Sequence, residues 1–264
     1  MPGAPLLAPD SRMVLACLPG TLCDHRAFGP LIAALEARGV SLRSVAVDTA
    51  AATTAAEVAA LATRQLVLAP DEVLVIAGFS LGGMIATHLA RTMSPKVTAL
   101  LLLDMNGEAD RPGNDVNRRA MLERARRNGL SRFIVEETWP AHVAAERLGD
   151  TALRDLVVAM AESVGIDGFA RQTEIAISRP RSIDILEQLS LPTLVVCGAE
   201  DRITPVPLAT DIAIATGGGL AIVPGAGHFA ILERPEPIAD SVLHWLMGAD
   251  RPDRRPDAVA SRGK

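Results

Sequence analysis

The segment Gly78-Phe79-Ser80-Leu81-Gly82-Gly83 decides the fold of this chain. It follows an apolar run, Glu72–Ala77, and leads into a segment with helical spacing, Gly82–Met93. A G-x-S-x-G pattern between a strand and a helix predicts a sharp turn that exposes the serine hydroxyl. The flanking glycines allow the close backbone approach that such a turn needs. We therefore predict that Ser80 lies at the carboxyl end of a strand, beside a helix amino terminus that stabilises negative charge.

Apolar runs and helical segments continue to alternate on both sides of this turn. The runs are nearly continuous rather than alternating, which is typical of parallel strands buried on both faces. Besides Glu72–Ala77 they comprise Met13–Leu18, Leu42–Val47, Val97–Leu103, Thr193–Cys197 and Gly219–Val223. The further segments with helical spacing are Phe28–Arg38, Ala55–Leu68, Pro207–Thr216 and Glu236–Met247. This order predicts an α/β protein with a mostly parallel, doubly wound sheet.

One interval, from Asn106 to about Arg179, contains no predicted strand. Its residues have helical spacing over Asn117–Asn128, Leu130–Glu137, Thr151–Val164 and Gly168–Ile177. We interpret it as a helical cap, 106–179, inserted before the strand Thr193–Cys197. We expect the cap to set the size of the substrate and to leave the chemistry alone. Residues 12–250 then form one domain, followed by a flexible tail at 251–264.

The composition restricts the classes of protein to which the chain can belong. Its 264 residues carry a formal net charge of −5, which argues against a nucleic-acid partner because phosphate binding requires a basic surface. The three cysteines have no C-x-x-C spacing, which argues against a disulfide framework and a cysteine zinc site. The sequence has neither a secretory leader pattern nor an apolar stretch of the roughly 18 residues that a transmembrane helix requires. We expect a cytoplasmic protein without a membrane partner, and the sequence leaves its oligomeric state open.

A serine nucleophile requires a base and an acid that orients the base, in the order serine, acid, histidine for a sheet of this kind. His228 follows the last predicted strand, and we expect the preceding Gly227 to let the loop swing the imidazole toward the serine. Asp201 follows the neighbouring strand at the same edge of the sheet, where open α/β sheets place their sites. Two alternatives for the acid stay open at this point, namely Glu200 and Asp104, which ends the strand after the serine turn.

Four segments carry a resemblance to a known family. GFSLGG, GAEDRITP and GAGHFAILERP, together with LPGTLCDHRAF near the amino terminus, resemble the α/β-hydrolase superfamily, and the match runs from about Arg12 to Met247 apart from the cap. Among its members the chain is most similar to small carboxylesterases and enol-lactonases. The resemblance implies the α/β-hydrolase fold, with Ser80 as nucleophile, Asp201 as acid and His228 as base.

The resemblance also implies an oxyanion hole, in which backbone N–H groups hold the negative oxygen of a tetrahedral intermediate. One donor is Leu81, immediately after the serine, and the other is Thr21, with Leu22 as the alternative. Relatives carry His-Gly where this chain has Pro19-Gly20. A histidine that helps to position this loop is therefore missing, although proline can also stiffen it.

Candidates for contact with the substrate lie in the first loop and in the cap: Leu22, His25, Phe133, Trp139 and His142. Packing inside the cap is the simpler interpretation of its aromatic residues. Because aromatic residues make up 3% of the chain and tyrosine is absent, we expect a mostly aliphatic pocket wall. The arginines Arg124, Arg126 and Arg127 could steer an anionic substrate, but a solvated helix face explains them more simply.

We expect hydrolysis of a small carboxylic ester or lactone through an acyl-enzyme on Ser80, with no metal or organic cofactor. Carbon–carbon bond hydrolysis, acyl transfer and perhydrolase chemistry use the same three residues and stay open. A non-catalytic binder of small molecules also stays open, because a fold does not fix a function. A dinucleotide-dependent oxidoreductase is disfavoured, since the first strand is followed by Pro19-Gly20-Thr21-Leu22-Cys23 rather than by G-x-G-x-x-G.

Overall fold

The computed structural model describes residues 5–7 and 11–248. Its strands are β1 Arg12–Leu18, β2 Leu42–Ala46, β3 Glu72–Phe79, β4 Val97–Leu103, β5 Thr193–Gly198 and β6 Gly219–Val223. They form one sheet in the order β2-β1-β3-β4-β5-β6, and every neighbouring pair is parallel. The predicted α/β class and parallel sheet are therefore confirmed.

Helices connect the strands and cover the sheet. The α-helices of the described residues are α1 Gly29–Ala37, α2 Ala55–Thr63, α3 Leu81–Met93, α4 Asn114–Asn128, α5 Leu130–Phe133, α6 Trp139–His142, α7 Thr151–Ser178, α8 Ser182–Leu186, α9 Val206–Thr216, α10 Ala230–Glu233 and α11 Pro235–Leu246. Short 3-10 helices occupy His25–Phe28 and Ala145–Arg147, and a π-helical turn occupies Ile134–Thr138. None of the described helices combines the length and apolar character needed to cross a bilayer.

The central strands β1, β3, β4 and β5 are buried on both faces, which explains why they are nearly continuously apolar, whereas the edge strands β2 and β6 are partly exposed. In β1, Met13 and Leu15 belong to the core that contains α1 and α11, whereas Val14 and Ala16 belong to the opposite core with α2 and α3. Successive side chains of a strand point to opposite faces, so a strand between two helical layers needs apolar residues at every position.

An insertion separates β4 from β5 and consists of residues 104–192. Its helices α4 and α5 pack on α7, whereas α8 packs on α3 and α9 beside the sheet. Helix α7 spans both of the predicted helical segments, Thr151–Val164 and Gly168–Ile177. It is kinked between them at Gly165, which has a φ of 71°. Glycine tolerates this left-handed conformation because it lacks a Cβ atom. The boundaries 106–179 and 12–250 stay predictions, and the predicted tail lies outside the described residues.

The carboxyl ends of β1, β3, β5 and β6 meet at one edge of the sheet. The loops that begin there carry Thr21, Ser80, Asp201 and His228 respectively. In parallel sheets this edge is where connecting loops from different strands converge. The topology thus brings together side chains that are far apart in the sequence.

Candidate active site

Ser80 occupies a strained turn between β3 and α3. Its φ of 51° and ψ of −118° lie outside the conformations that residues with a side chain prefer. The turn passes so close to β1 that a Cβ atom on Gly82 would overlap the carbonyl oxygen of Leu18. The Ser80 N–H is fixed by a 2.9 Å hydrogen bond to the carbonyl oxygen of Leu103. The glycine at this position is therefore required by the close approach of two backbones.

A chain of hydrogen bonds links Ser80 to His228 and Asp201. His228 Nε2 lies 3.0 Å from Ser80 Oγ, and His228 Nδ1 lies 2.9 Å from Asp201 Oδ2. His228 and Asp201 are 3% and 4% exposed, so the contact between these two residues is shielded from water. The geometry fits a base that is held by a carboxylate and directed at a hydroxyl.

The Asp201 carboxylate is held in place by the turn that follows β5. Its Oδ1 atom accepts hydrogen bonds from the N–H groups of Ile203 and Thr204 at 2.8 and 2.9 Å. The Thr204 hydroxyl donates to Oδ2 at 2.6 Å. Burial by itself would raise the pKa of Asp201, but the hydrogen bonds from His228 and Thr204 outweigh it and lower the pKa to about 2. Asp201 is therefore ionised at neutral pH, and Thr204 is a site residue that the sequence motifs did not single out.

The two alternative acids lie elsewhere. Asp104 is fully buried, has a φ of 44°, and accepts a 2.8 Å hydrogen bond from the Gly198 N–H through Oδ1. Burial and the nearby charge of Asp201 raise the pKa of Asp104. Glu200 is exposed and accepts a hydrogen bond from Ala145 N–H at 3.1 Å. Of the three candidate acids, Asp201 is the one that contacts the His228 imidazole.

Asp104 and Asp201, with Cys197, form the group of potential metal ligands found among the described residues. Burial raises the pKa of the Cys197 thiol, so the thiolate that binds metals is disfavoured. Both oxygens of Asp201 already accept hydrogen bonds from the turn and the imidazole. These donors fit a hydrogen-bonded acid better than a metal site.

Gly227, the glycine expected to let the His228 loop swing, packs closely against the insertion. A Cβ atom on Gly227 would lie 2.5 Å from the Val143 carbonyl carbon, so glycine serves close packing against the insertion. The Gly227 N–H donates to Glu233 Oε1 at 3.0 Å, and the second oxygen of Glu233 accepts from Ala144 N–H at 2.8 Å. Glu233 therefore ties the loop to the insertion. Sequence reasoning missed it, although it lies within the GAGHFAILERP segment.

The candidate oxyanion donors line a cavity next to Ser80. Leu81 is the first residue of α3, where an N–H group has no acceptor within its own helix. Leu22 N–H already donates to Gln172 Oε1 at 2.9 Å, and Leu22 has a φ of 57°. That hydrogen bond favours Thr21 over Leu22 as the second donor. Thr21 and Leu81 both border the cavity.

Comparison with known proteins identifies the family. Residues 15–241 match the sequence profile described as the alpha/beta hydrolase family. The chain belongs to this family. It is 26% identical over 207 residues to pyrrolizixenacetamide deacetylase of Xenorhabdus hominickii, covering 75% of this chain and 73% of that protein. It is 28% identical over 204 residues to the pimeloyl-[acyl-carrier protein] methyl ester esterase of Edwardsiella ictaluri, covering 72% of this chain and 75% of that protein. The structure of a thermophilic esterase from Thermogutta terrifontis matches with a TM-score of 0.75 at 24% identity, covering 91% and 90% of the two chains.

The cavity of this α/β hydrolase has a volume of about 330 Å³ and lies between the sheet edge and the insertion. Three of the predicted substrate contacts line it, namely Leu22, Phe133 and His142. His25 and Trp139 are not among its lining residues, so these two expectations are corrected. The His25 side chain is 71% exposed. The Trp139 ring is buried, and its indole N–H donates to the Leu148 carbonyl oxygen at 3.1 Å, as expected of a packing residue.

The wall of the cavity is more aromatic than the composition predicts. Four of the five phenylalanines line it, namely Phe79, Phe133, Phe169 and Phe229. Phe79 and Phe229 also pack against the His228 ring, with centroids 5.4 and 6.2 Å away. The aliphatic residues of the wall still outnumber them: Leu22, Leu81, Met84, Met121, Ile134, Val157, Ala176 and Ile203. The expected mostly aliphatic wall is therefore confirmed, with four phenylalanines added to it.

His142 contacts the candidate base from the insertion. Its ring meets the His228 ring edge-on at a centroid distance of 5.3 Å, and its carbonyl oxygen accepts from the His228 N–H at 2.7 Å. His142 Nδ1 lies 2.6 Å from the Thr138 carbonyl oxygen, which fixes the proton on Nδ1. Burial and the neighbouring His228 lower the pKa of His142 to about 4. His142 is therefore neutral at pH 7, and its Nε2 atom is an acceptor.

The arginine cluster of the insertion lies largely in solvent, which agrees with the interpretation of these residues as a solvated helix face. Arg124 pairs with Glu137 and Arg126 pairs with Glu123, both at 2.7 Å, and these side chains are 40% and 46% exposed. Ion pairs with this exposure contribute little to stability. The arginines that line the cavity are different ones, Arg118 and Arg179. No local pattern in the sequence separated them from the others.

Proposed function

We propose that this hydrolase cleaves small carboxylic esters or lactones through an acyl-enzyme on Ser80. The observation that carries the proposal is the unbroken path of hydrogen bonds from Asp201 through His228 to Ser80, at 2.9 and 3.0 Å. The path ends at a cavity with two candidate oxyanion donors beside the hydroxyl. The curated relatives are named as a methyl ester esterase and a deacetylase, and both names describe cleavage of an acyl group.

Acylation begins when Ser80 Oγ attacks the carbonyl carbon of the substrate. His228 Nε2 takes the hydroxyl proton, and Asp201 stabilises the resulting imidazolium. The carbonyl oxygen becomes an oxyanion, which accepts hydrogen bonds from the N–H groups of Leu81 and Thr21. The bond from carbon to the leaving oxygen then breaks, and His228 gives its proton to that oxygen. In a lactone, the released alcohol stays attached to the acyl group.

Deacylation repeats these steps with water as the nucleophile. His228 Nε2 takes a proton from the water, whose oxygen attacks the acyl carbon and forms a second oxyanion in the same hole. Collapse of this intermediate breaks the bond to Ser80 Oγ, and the proton on His228 returns to the serine. The products are a carboxylic acid and the regenerated enzyme.

The test is a panel of p-nitrophenyl esters and γ- and δ-lactones, with Ser80→Ala and Ser131→Ala compared in the same assays. We expect Ser80→Ala to lose at least ~10⁴-fold in kcat while remaining folded, since the nucleophile and base act as a unit. Ser131 is exposed on α5, and its variant should match the wild type. Because one relative is named as a deacetylase, p-nitroacetanilide is included in the panel to test for cleavage of an amide.

Covalent labelling separates the hydrolase from a binder of small molecules. A fluorophosphonate probe should label wild-type protein at Ser80, and rapid mixing with an activated ester should give a burst of p-nitrophenol. A folded Ser80→Ala variant that keeps more than a tenth of the activity would remove Ser80 from the role of nucleophile. Wild-type protein without turnover, burst or labelling would exclude the proposed function altogether.

A further inference from the structure

The charged side chains that line the active-site cavity are both arginines. Arg118 extends from α4 and Arg179 follows α7, and they share the cavity with Ser80 and the base. No aspartate or glutamate of the described residues lines this cavity. In a hydrolase with a net charge of −5, this places positive charge where a substrate binds.

One carboxylate behind the wall neutralises half of this charge. Asp110 accepts hydrogen bonds from Arg118 Nε and Nη2 at 2.7 and 2.9 Å, and Arg179 Nη2 lies 3.1 Å from the same carboxylate. The remaining Arg179 contacts are with backbone carbonyl oxygens, those of Ala176 at 2.6 Å and Glu108 at 3.1 Å. Two cations and one anion leave a net charge of +1 at this end of the cavity.

The surrounding acids do not cancel the excess charge, because they pair with other arginines at the surface. Glu108 pairs with Arg181 at 3.0 Å, and both side chains are more than one third exposed. Glu174 pairs with Arg119 at 2.5 Å, and these side chains are 39% and 53% exposed. Solvent and salt screen such exposed pairs, so they contribute little to the potential inside the cavity.

Free donors accompany the excess charge. The Arg118 side chain is 29% exposed, and its Nη1 group has no hydrogen-bond partner among the described residues. Asn106, which also lines the cavity, uses its side-chain oxygen to accept from Glu108 N–H at 2.8 Å, so its amide N–H groups remain available. A guanidinium and an amide that line one cavity are suited to a planar anion.

We propose that Arg118, Arg179 and Asn106 form an arginine subsite that binds a carboxylate of the substrate. The inference rests on the proposed function and names its substrate class, which is esters or lactones that carry one additional carboxylate. In this proposal the reacting carbonyl lies at Ser80 and the carboxylate at the arginine subsite, in a cavity that apolar side chains such as Phe133 and Met121 also line. A monoanion neutralises the net charge of this end of the cavity, whereas a neutral chain leaves it uncompensated.

The first experiment compares substrates that differ in charge. Monomethyl esters of linear dicarboxylic acids of four to eight carbons place the carboxylate on the acyl side, and their dimethyl esters are the neutral controls. Acetate esters of ω-hydroxy acids, compared with those of simple alcohols, place it on the alcohol side. We expect kcat/KM to favour the anionic substrate by 10-fold or more for at least one chain length in one series.

The second experiment tests the subsite itself. Arg118→Gln should lower the ratio of anionic to neutral kcat/KM by about 10- to 100-fold, the range expected for one charge-assisted hydrogen bond. Arg126→Gln is the matched control, because Arg126 lies on the same helix in a surface ion pair, and it should leave the ratio unchanged. Arg118→Lys keeps the charge but not the planar guanidinium, and its ratio of anionic to neutral kcat/KM should lie between those of the wild type and Arg118→Gln.

Inhibition supplies a readout that does not depend on turnover of the anionic ester. A free dicarboxylate should inhibit p-nitrophenyl acetate hydrolysis competitively in wild-type protein, and Arg118→Lys should raise its inhibition constant. Equal kcat/KM for charged and neutral substrates in every series, together with no inhibition by dicarboxylates, would overturn the arginine subsite while leaving the hydrolase activity intact. An unchanged ratio in a folded Arg118→Gln variant would overturn it as well. Failure of p-nitrophenyl acetate hydrolysis in the wild type would instead count against the proposed function.

Discussion

Replacing Asp201 by asparagine tests the catalytic assignment most sharply, because the structure determines how the new amide is oriented. The backbone N–H groups of Ile203 and Thr204 donate to Oδ1 at 2.8 and 2.9 Å, so this position requires an acceptor. The asparagine oxygen therefore takes the Oδ1 position, and its NH₂ group takes the Oδ2 position, 2.9 Å from His228 Nδ1. An NH₂ group donates hydrogen bonds where the carboxylate accepted one.

The reversed hydrogen bond changes the tautomer of the base. When the amide donates to His228 Nδ1, the imidazole proton moves to Nε2, the atom that must accept the Ser80 proton over 3.0 Å. The variant also loses the negative charge that stabilises the imidazolium. We expect kcat to fall by up to about 10⁴-fold, as in serine hydrolases whose triad aspartate is replaced in this way, which corresponds to roughly 5 kcal/mol of activation free energy.

The assay measures kcat with p-nitrophenyl acetate, the melting temperature, and the tautomer of His228 by ¹⁵N NMR of histidine-labelled protein. Asp104→Asn is the matched control, because Asp104 is an equally buried carboxylic acid that does not contact His228, and it should lose less than tenfold. A folded Asp201→Asn variant with more than a tenth of wild-type kcat, or a larger loss in Asp104→Asn, would refute the reasoning.

Three further predictions follow from the contacts around the base and from the cavity. Glu233→Ala leaves the buried N–H groups of Gly227 and Ala144 without an acceptor, so the free energy of unfolding, measured with denaturant, should fall by roughly 2 to 4 kcal/mol. Glu36→Ala, at an exposed position, is the control and should lose less than about 0.5 kcal/mol, the scale of a surface substitution. His142 stays neutral in the folded state down to pH about 4, whereas the unfolded chain protonates it below about pH 6.5. The free energy of unfolding should therefore fall by up to about 3 kcal/mol as the pH drops from 7 to 4, and it should fall less in His142→Gln. The same pH dependence in this variant and the wild type would contradict a neutral, half-buried ring. A cavity of about 330 Å³ walled by aliphatic and phenylalanine side chains should make kcat/KM for p-nitrophenyl esters fall once the acyl chain exceeds about eight carbons, and a rise through twelve carbons would show an open groove.

The sheet and the residues at its edge could be predicted from the sequence because their signals are local. A parallel strand buried on both faces needs a continuous apolar run, and each run identified from the sequence became a strand. Ser80 directly follows such a strand, and Asp201 and His228 lie three and five residues after theirs, so the sheet brings the three residues to the same edge. The short G-x-S-x-G spacing fixes the turn, since a Cβ atom on Gly82 would overlap β1.

The insertion could not be predicted to the same depth, because its contacts join residues distant in the sequence. Arg118 and Arg124 lie on the same helix and are alike in the sequence, yet Arg118 lines the cavity while Arg124 pairs with Glu137 at the surface. The difference depends on how α4 packs on α7, which no spacing within α4 encodes. Trp139 was expected to contact the substrate, but its ring packs inside the insertion and its indole N–H donates to the Leu148 carbonyl oxygen.

The same contacts show that the insertion and the catalytic base cannot be treated as separate parts. His228 N–H donates to the His142 carbonyl oxygen, and Arg202, next to Asp201, donates to the carbonyl oxygens of Pro140 and Val143 at 2.8 and 3.1 Å. The segment from Pro140 to Ala144 therefore contributes His142 to the cavity and also holds the loops of the acid and the base. A substitution that moves this segment to enlarge the pocket also moves the imidazole relative to Ser80. Because a displacement of about 1 Å can cost 10²-fold in rate, such a substitution changes kcat together with KM. The contacts of the segment that carries His142 therefore contradict the initial expectation that the cap leaves the chemistry alone, whereas for α4 and α5, which contact α7, that expectation stays a prediction.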